Sequence, residues 1–149
     1  MSNNTELNKD TIELLSQINA GCKMAIDSLE QVEKYVDDKR LIDIIKKYNE
    51  AHIKIEDTSH QMLNNAGQEG QEPGLLSKTF AQMQASIKLL MKDDVHQAAS
   101  ILTDGCNMGI KSLWEYKNSF KTADAKSVKL CDELCDLEGQ MIVELQPLL

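Results

Sequence analysis

Apolar residues recur along most of this chain at intervals of three and four, the spacing of a helical face rather than the alternation of a strand. Leu15, Ile18, Cys22, Ala25, Leu29, Val32 and Val36 form one such stripe. Leu41, Ile45, Tyr48, His52, Ile55, Ser59 and Met62 form a second, and Asp37-Asp38 between them predicts a helix end followed by the cap of the next. A polar, glycine-rich stretch over 64–74 interrupts the pattern as a loop. A shorter stripe, Leu76, Phe80, Met83, Ile87 and Leu90, follows within 75–91. As a helix this segment spans about 25 Å at 1.5 Å per residue, much of the way back along a bundle. Ala99, Leu102, Cys106, Gly109, Leu113, Tyr116 and Phe120 make the next stripe. After a turn at Lys121-Thr122-Ala123-Asp124, the last carries Val128, Cys131, Cys135, Glu138, Ile142 and Leu145, with Leu134 and Met141 beside it. Asp10-Thr11-Ile12-Glu13 and Asp94-Val95-His96-Gln97 have the form of capping boxes.

These elements predict an all-α protein of one domain over 1–149. A first helical hairpin occupies about 10–64, a crossover with a shorter helix 65–92, and a second hairpin about 93–146, which together make a four-helix bundle with one long connection. The halves are related. Gly21-Cys22-Lys23-Met24-Ala25-Ile26-Asp27-Ser28-Leu29 matches Gly105-Cys106-Asn107-Met108-Gly109-Ile110-Lys111-Ser112-Leu113 at six of nine positions, 84 residues apart. Hairpin turns near 38 and 122 lie 16 residues beyond Cys22 and Cys106. Cys22 therefore faces the level of His52 and Ile55, and Cys106 that of Cys135 and Glu138. The repeat predicts that Cys22, His52, Cys106 and either Cys135 or Glu138 share one layer at mid-bundle.

A net charge of −8 excludes broad binding to duplex nucleic acid or anionic membranes, because no strong cationic surface is available. No apolar run approaches a membrane span, and no charged segment precedes an apolar leader, so a cytoplasmic protein is expected. In that setting four cysteines point to free thiols or a metal rather than to disulfides.

Cys22, His52, Cys106 and Cys135 are the candidate metal ligands, with Cys131 and Glu138 as alternates. Thiolates with an imidazole suit zinc or copper. Against a structural zinc site stands the spacing, one ligand per helix, and small cysteines also pack well on bundle seams. Cys131 and Cys135, four apart on one helix face, suit joint metal capture better than a disulfide. Glu56, one turn beyond His52, is placed to orient its second nitrogen. Glu138 is the inward residue least suited to a core, with His52, a metal or solvent as its partner. Gly21, Gly105 and Gly109 weaken their helices and are expected to permit close helix contact or slight kinks. An exposed Trp114 would mark a dimer surface or groove.

Over roughly residues 10–146 the chain resembles the ferritin-like superfamily. Within it, the chain is similar to a group of short bacterial four-helix proteins with two hairpins joined by a glycine-started helix, here Gly74-Leu75-Leu76 onward. Catalytic members hold two irons with one Glu on each of two helices and Glu-x-x-His on the other two. By position the single Glu places fall at Cys22 and Cys106, and the paired ones at Asn49-x-x-His52 and Asp132-x-x-Cys135. Only His52 and Asp132 fit, too few hard oxygen ligands for di-iron chemistry. The resulting expectation is a non-enzymatic structural or interaction protein without a cofactor, its long lateral surfaces open to homodimerisation. The alternative is a metal- or thiol-dependent protein using the mid-bundle cysteines.

Overall fold

In a computed structural model describing residues 7–68 and 78–149, the helices follow the apolar stripes: α1 (Lys9–Glu33), α2 (Lys39–Asn65), α3 (Lys78–Lys88), α4 (Val95–Ser119) and α5 (Ala125–Leu145), then a 3-10 turn at Gln146–Leu148. The order is hairpin, crossover helix, hairpin. The glycine that starts the crossover segment, and Leu76 of its stripe, lie outside the described residues.

Side-chain caps set the helix starts. Asp38, Asp94 and Asp124 accept hydrogen bonds from backbone N–H groups of the first turns of α2, α4 and α5. Each such cap is worth about 1 kcal/mol. The Arg40 guanidinium, hydrogen-bonded to Asp38, holds that carboxyl down at about 2. The first capping box is corrected: Asn8, not Asp10, caps α1, accepting from the Thr11 N–H at 2.8 Å. Asp10 and Thr11 are thereby released to clasp the α4–α5 turn. The Asp10 carboxylate accepts from the Thr122 N–H at 2.9 Å, and the Thr11 hydroxyl from the Asp124 N–H at 2.8 Å. At the second box only one arm forms: the Gln97 amide reaches past the cap to the Met91 N–H at 3.0 Å. Gly67 ends α2 at φ 76°, letting the Gln68 N–H close on the Leu63 carbonyl at 2.8 Å.

The Asp93 N–H donates to the Tyr35 carbonyl at 2.7 Å, so the end of α1 meets the entry to α4, while the clasp joins the start of α1 to the end of α4. The two helices are therefore antiparallel. α1 packs on α2 and α4 on α5, the hairpins meet along α1–α4 and α2–α5, and α3 covers the seam between α1 and α4.

The core falls into two clusters. One surrounds the α1–α2 turn and includes Val32, Leu41, Ile45, Tyr48, Ala99, Leu102, Met141 and Leu145. The other lies towards the α4–α5 turn and includes Leu14, Leu15, Ile18, Cys22, Leu63, Leu130, Cys131 and Leu134. On α5 the buried apolar and acidic side chains are Leu130, Cys131, Leu134, Glu138, Met141 and Leu145, while Val128, Cys135 and Ile142 are only partly covered. Cys131, Glu138 and Leu145 of the expected stripe are buried together with Leu134 and Met141 beside it, and the buried face widens towards the larger Leu and Met side chains because their burial removes more apolar surface from water.

Candidate functional site

Between the two clusters sits a polar layer. His52 follows Tyr48 by one turn on α2, and Glu138 follows Leu134 by one turn on α5. They are 1% and 7% exposed. His52 Nε2 bonds Glu138 Oε1, and Nδ1 faces the Tyr48 carbonyl at 2.6 Å. A carbonyl can only accept, so Nδ1 carries a proton. With a carboxylate at the other nitrogen, the arrangement favours imidazolium paired with carboxylate. Burial pulls the His52 pKa down, but the hydrogen bond and charge of Glu138, with the Tyr48 carbonyl, outweigh it, and the net shift is upward. The expected role of Glu56 is corrected: it receives the Asn19 amide at 3.2 Å, and the Tyr48 carbonyl holds the second nitrogen of His52.

The thiols nearest this pair stay protonated. Burial first, and then the nearby Glu138, raise the pKa of both Cys22 and Cys106. Metal capture or nucleophilic attack requires the thiolate, so both reactions are opposed here. Cys131 and Cys135 form a separate pair beside Lys117. The Cys131 thiol donates to the Leu113 carbonyl at 3.8 Å. The neighbouring Cys131, and then Lys117, lower the Cys135 pKa, while Cys131 itself is raised by Cys135 and by burial. Cys135 is thus the thiol of the four most readily ionised. All four are free.

A cavity of about 170 Å³ opens on the layer, walled by α1 and α4 and roofed by Phe80 and Met83 of α3. His52, Cys106 and Glu138 are at its polar end. The three glycines on α1 and α4 line it, and the close-contact reading of them needs correction. A Cβ at Gly21 would meet no atom within 4 Å, and one at Gly109 only Glu138, from 3.7 Å. Gly105 alone permits a close approach, with the Met83 methyl 2.1 Å from where its Cβ would be. A mid-helix glycine costs about 0.5–1 kcal/mol relative to alanine, and at Gly21 and Gly109 that cost is matched by open space.

Of the residues expected at mid-bundle, Cys106, His52 and Glu138 gather at the cavity floor, and Cys22 lies near enough to feel the Glu138 charge. Cys131 and Cys135 stand apart. Asp132, the position equivalent to a metal-binding Glu, is exposed and paired with Lys117 at 2.6 Å. Among the described residues, no group of three or more His, Cys, Asp or Glu side chains is arranged to hold a metal ion. Sequence reasoning missed Asn19, fully buried on α1, whose amide donates to Ser59 Oγ at 3.1 Å and to Glu56. Its signal was available: Asn19 lies four residues after Leu15, on the inner stripe.

Fold and site together define an all-α four-helix bundle with a buried His–Glu pair in its mid-layer. No family model matches the chain, and no curated protein matches it. Among the described residues no helix is long and apolar enough to cross a membrane.

Proposed function

We propose that this chain is a non-enzymatic bundle of the ferritin-like type, working by structure and binding, in which a buried ion pair occupies the place of a metal layer. The observation that carries this reading is the closed His52–Glu138 pair. Both imidazole nitrogens are engaged, one by a carboxylate and one by a carbonyl. A metal would have to displace Glu138 from Nε2 and deprotonate buried thiols whose surroundings oppose it. The pair joins α2 to α5 and so sets the register of one hairpin against the other, a role well suited to a single buried polar contact.

The metal reading has one observation in its favour, the gathering of Cys106, His52 and Glu138 at one level. Elemental analysis of untagged protein, purified anaerobically without chelator, separates the two. The ion-pair reading expects no stoichiometric metal and no change in melting temperature on adding zinc. About one zinc or copper per chain, lost on substituting Cys22 and Cys106, would replace it with a metal centre.

Homodimerisation has its support in Trp114, 59% exposed on α4 beside a shallow hollow formed with Ile110, Cys135 and Gly139. Exposed aromatic residues of this kind anchor interfaces. Sedimentation velocity is expected to find a dimer that Trp114→Ser dissociates; a monomer at every concentration would remove the proposal.

A further inference from the structure

The cavity beside the ion pair has the size, walls and polar end of a ligand site. Its volume, about 170 Å³, is close to that of an engineered apolar cavity of about 150 Å³ that stays dry and binds benzene. Gly21 faces into it with no heavy atom within 4 Å of its missing Cβ, so a single methyl or larger group there would occupy the space. Two glycines of the repeated segments thus leave room that alanine, a better helix former, would begin to fill.

The walls select the ligand. Met24, Met83, Met108 and Met141 surround the space, with Phe80 at the roof. Thioethers are adaptable and make favourable contacts with aromatic rings. The polar end selects further. Glu138 gives Oε1 to His52, while Oε2 is the atom nearest the open side of Gly109. A carboxylate oxygen retains acceptor capacity after one bond, so the group offered to the cavity is an acceptor. Imidazolium and carboxylate together are neutral. A cationic ligand would add a net charge to an apolar enclosure, and an anionic one would add a charge facing Glu138; both are penalised.

We propose that this cavity binds a small neutral aromatic molecule with one hydrogen-bond donor, of the phenol class, its ring among the four methionines and its O–H donating to Glu138. The inference rests on the reading of the layer as a metal-free ion pair and names what that layer recognises. Gln17 and Ser112, both partly exposed, give the lining a polar edge towards water, as a site that takes its ligand from solution requires.

Isothermal titration of the full chain with phenol, toluene and benzoate tests it. Phenol is expected to bind once per chain and toluene about tenfold to a hundredfold more weakly, the value of one hydrogen bond to a charged group. Benzoate is expected not to bind. Gly21→Leu, which fills the cavity from α1, is expected to lose phenol binding by about tenfold or more. Methyl NMR of the wild-type methionines gives a reading independent of that variant's folding: phenol should shift Met24, Met83, Met108 and Met141. Unmoved methionine methyls at millimolar phenol, toluene binding as tightly as phenol, or a folded Gly21→Leu that still binds would each overturn the proposal. Metal-free protein that ignores phenol overturns this inference and leaves the ion-pair reading standing, whereas stoichiometric metal at Cys106 and Glu138 overturns both.

Discussion

Replacing His52 with leucine is expected to lower the free energy of unfolding by about 3–5 kcal/mol, the usual cost of removing one partner from a buried pair. The shape of the site changes little. What changes is that Glu138, 7% exposed, loses the imidazole it is bonded to. It is then a buried polar group without its partner in an apolar layer. Replacing both residues, His52→Leu with Glu138→Leu, is expected to recover most of the loss, because two packed apolar side chains no longer carry a desolvation penalty. The dependence on pH has a definite sign. The folded pKa of His52 is raised above its ordinary value of 6.5. Its stabilising contribution is therefore complete below 6.5 and is lost as pH rises through the folded value. Urea unfolding at about pH 6 and about pH 9 should find the wild type weaker at the higher pH, and the double variant should keep only the part of that difference due to the buried thiols Cys22 and Cys106, whose pKa values are also raised. A single His52→Leu within about 1 kcal/mol of wild type would place the pair in the class of exposed ion pairs and remove the register argument.

Much of this layer was legible because hairpins make distance along the chain into height in the bundle. Counting back from the turns placed Cys106 opposite residue 138, and both residues line the one cavity. Period and cap chemistry carried the helices: Asp38, Asp94 and Asp124 each precede an apolar run and each caps it. The misreadings have a common physical source. At the start of α1, Asn8 and Asp10 are both good caps, and the choice between them is made by the α4–α5 turn, which engages Asp10 from 112 residues away. On α5 two stripes interleave, both with intervals of three and four. Both contribute to the core face, Cys131 from one and Leu134 from the other, and Cys135 lies towards the flank. The cavity was the least legible feature, since the glycines that border it signal either close contact or empty space. Gly105 turned out to be the first and Gly21 the second.

The second large effect belongs to Tyr48, which joins the ionic layer to the cluster around the α1–α2 turn. Tyr48→Ala is expected to destabilise by about 3–5 kcal/mol, the range for deleting a large buried ring, and Tyr48→Phe by about 1 kcal/mol, the net value of one hydrogen bond. The ring is 1% exposed and belongs to the packed core. Its hydroxyl donates to the Glu144 carboxylate, which also receives Lys47 at 2.9 Å. That hydrogen bond, and then Lys47, hold the Glu144 pKa below its ordinary 4.5. A depressed carboxylate stabilises above its unfolded value and loses that contribution as pH falls through the folded one. The gap between wild type and Tyr48→Phe should therefore be full at neutral pH and narrow in acid, while the Tyr48→Ala deficit, being mostly lost packing, should largely persist. Denaturant unfolding of the three proteins at neutral and acid pH distinguishes ring from hydroxyl. If phenylalanine proved as costly as alanine, the Glu144 contact rather than the buried ring would be what holds α2 to α5 at this level. The hairpins would then be registered by two polar contacts one helical turn apart, Tyr48–Glu144 and His52–Glu138, instead of by one polar contact set on an apolar core.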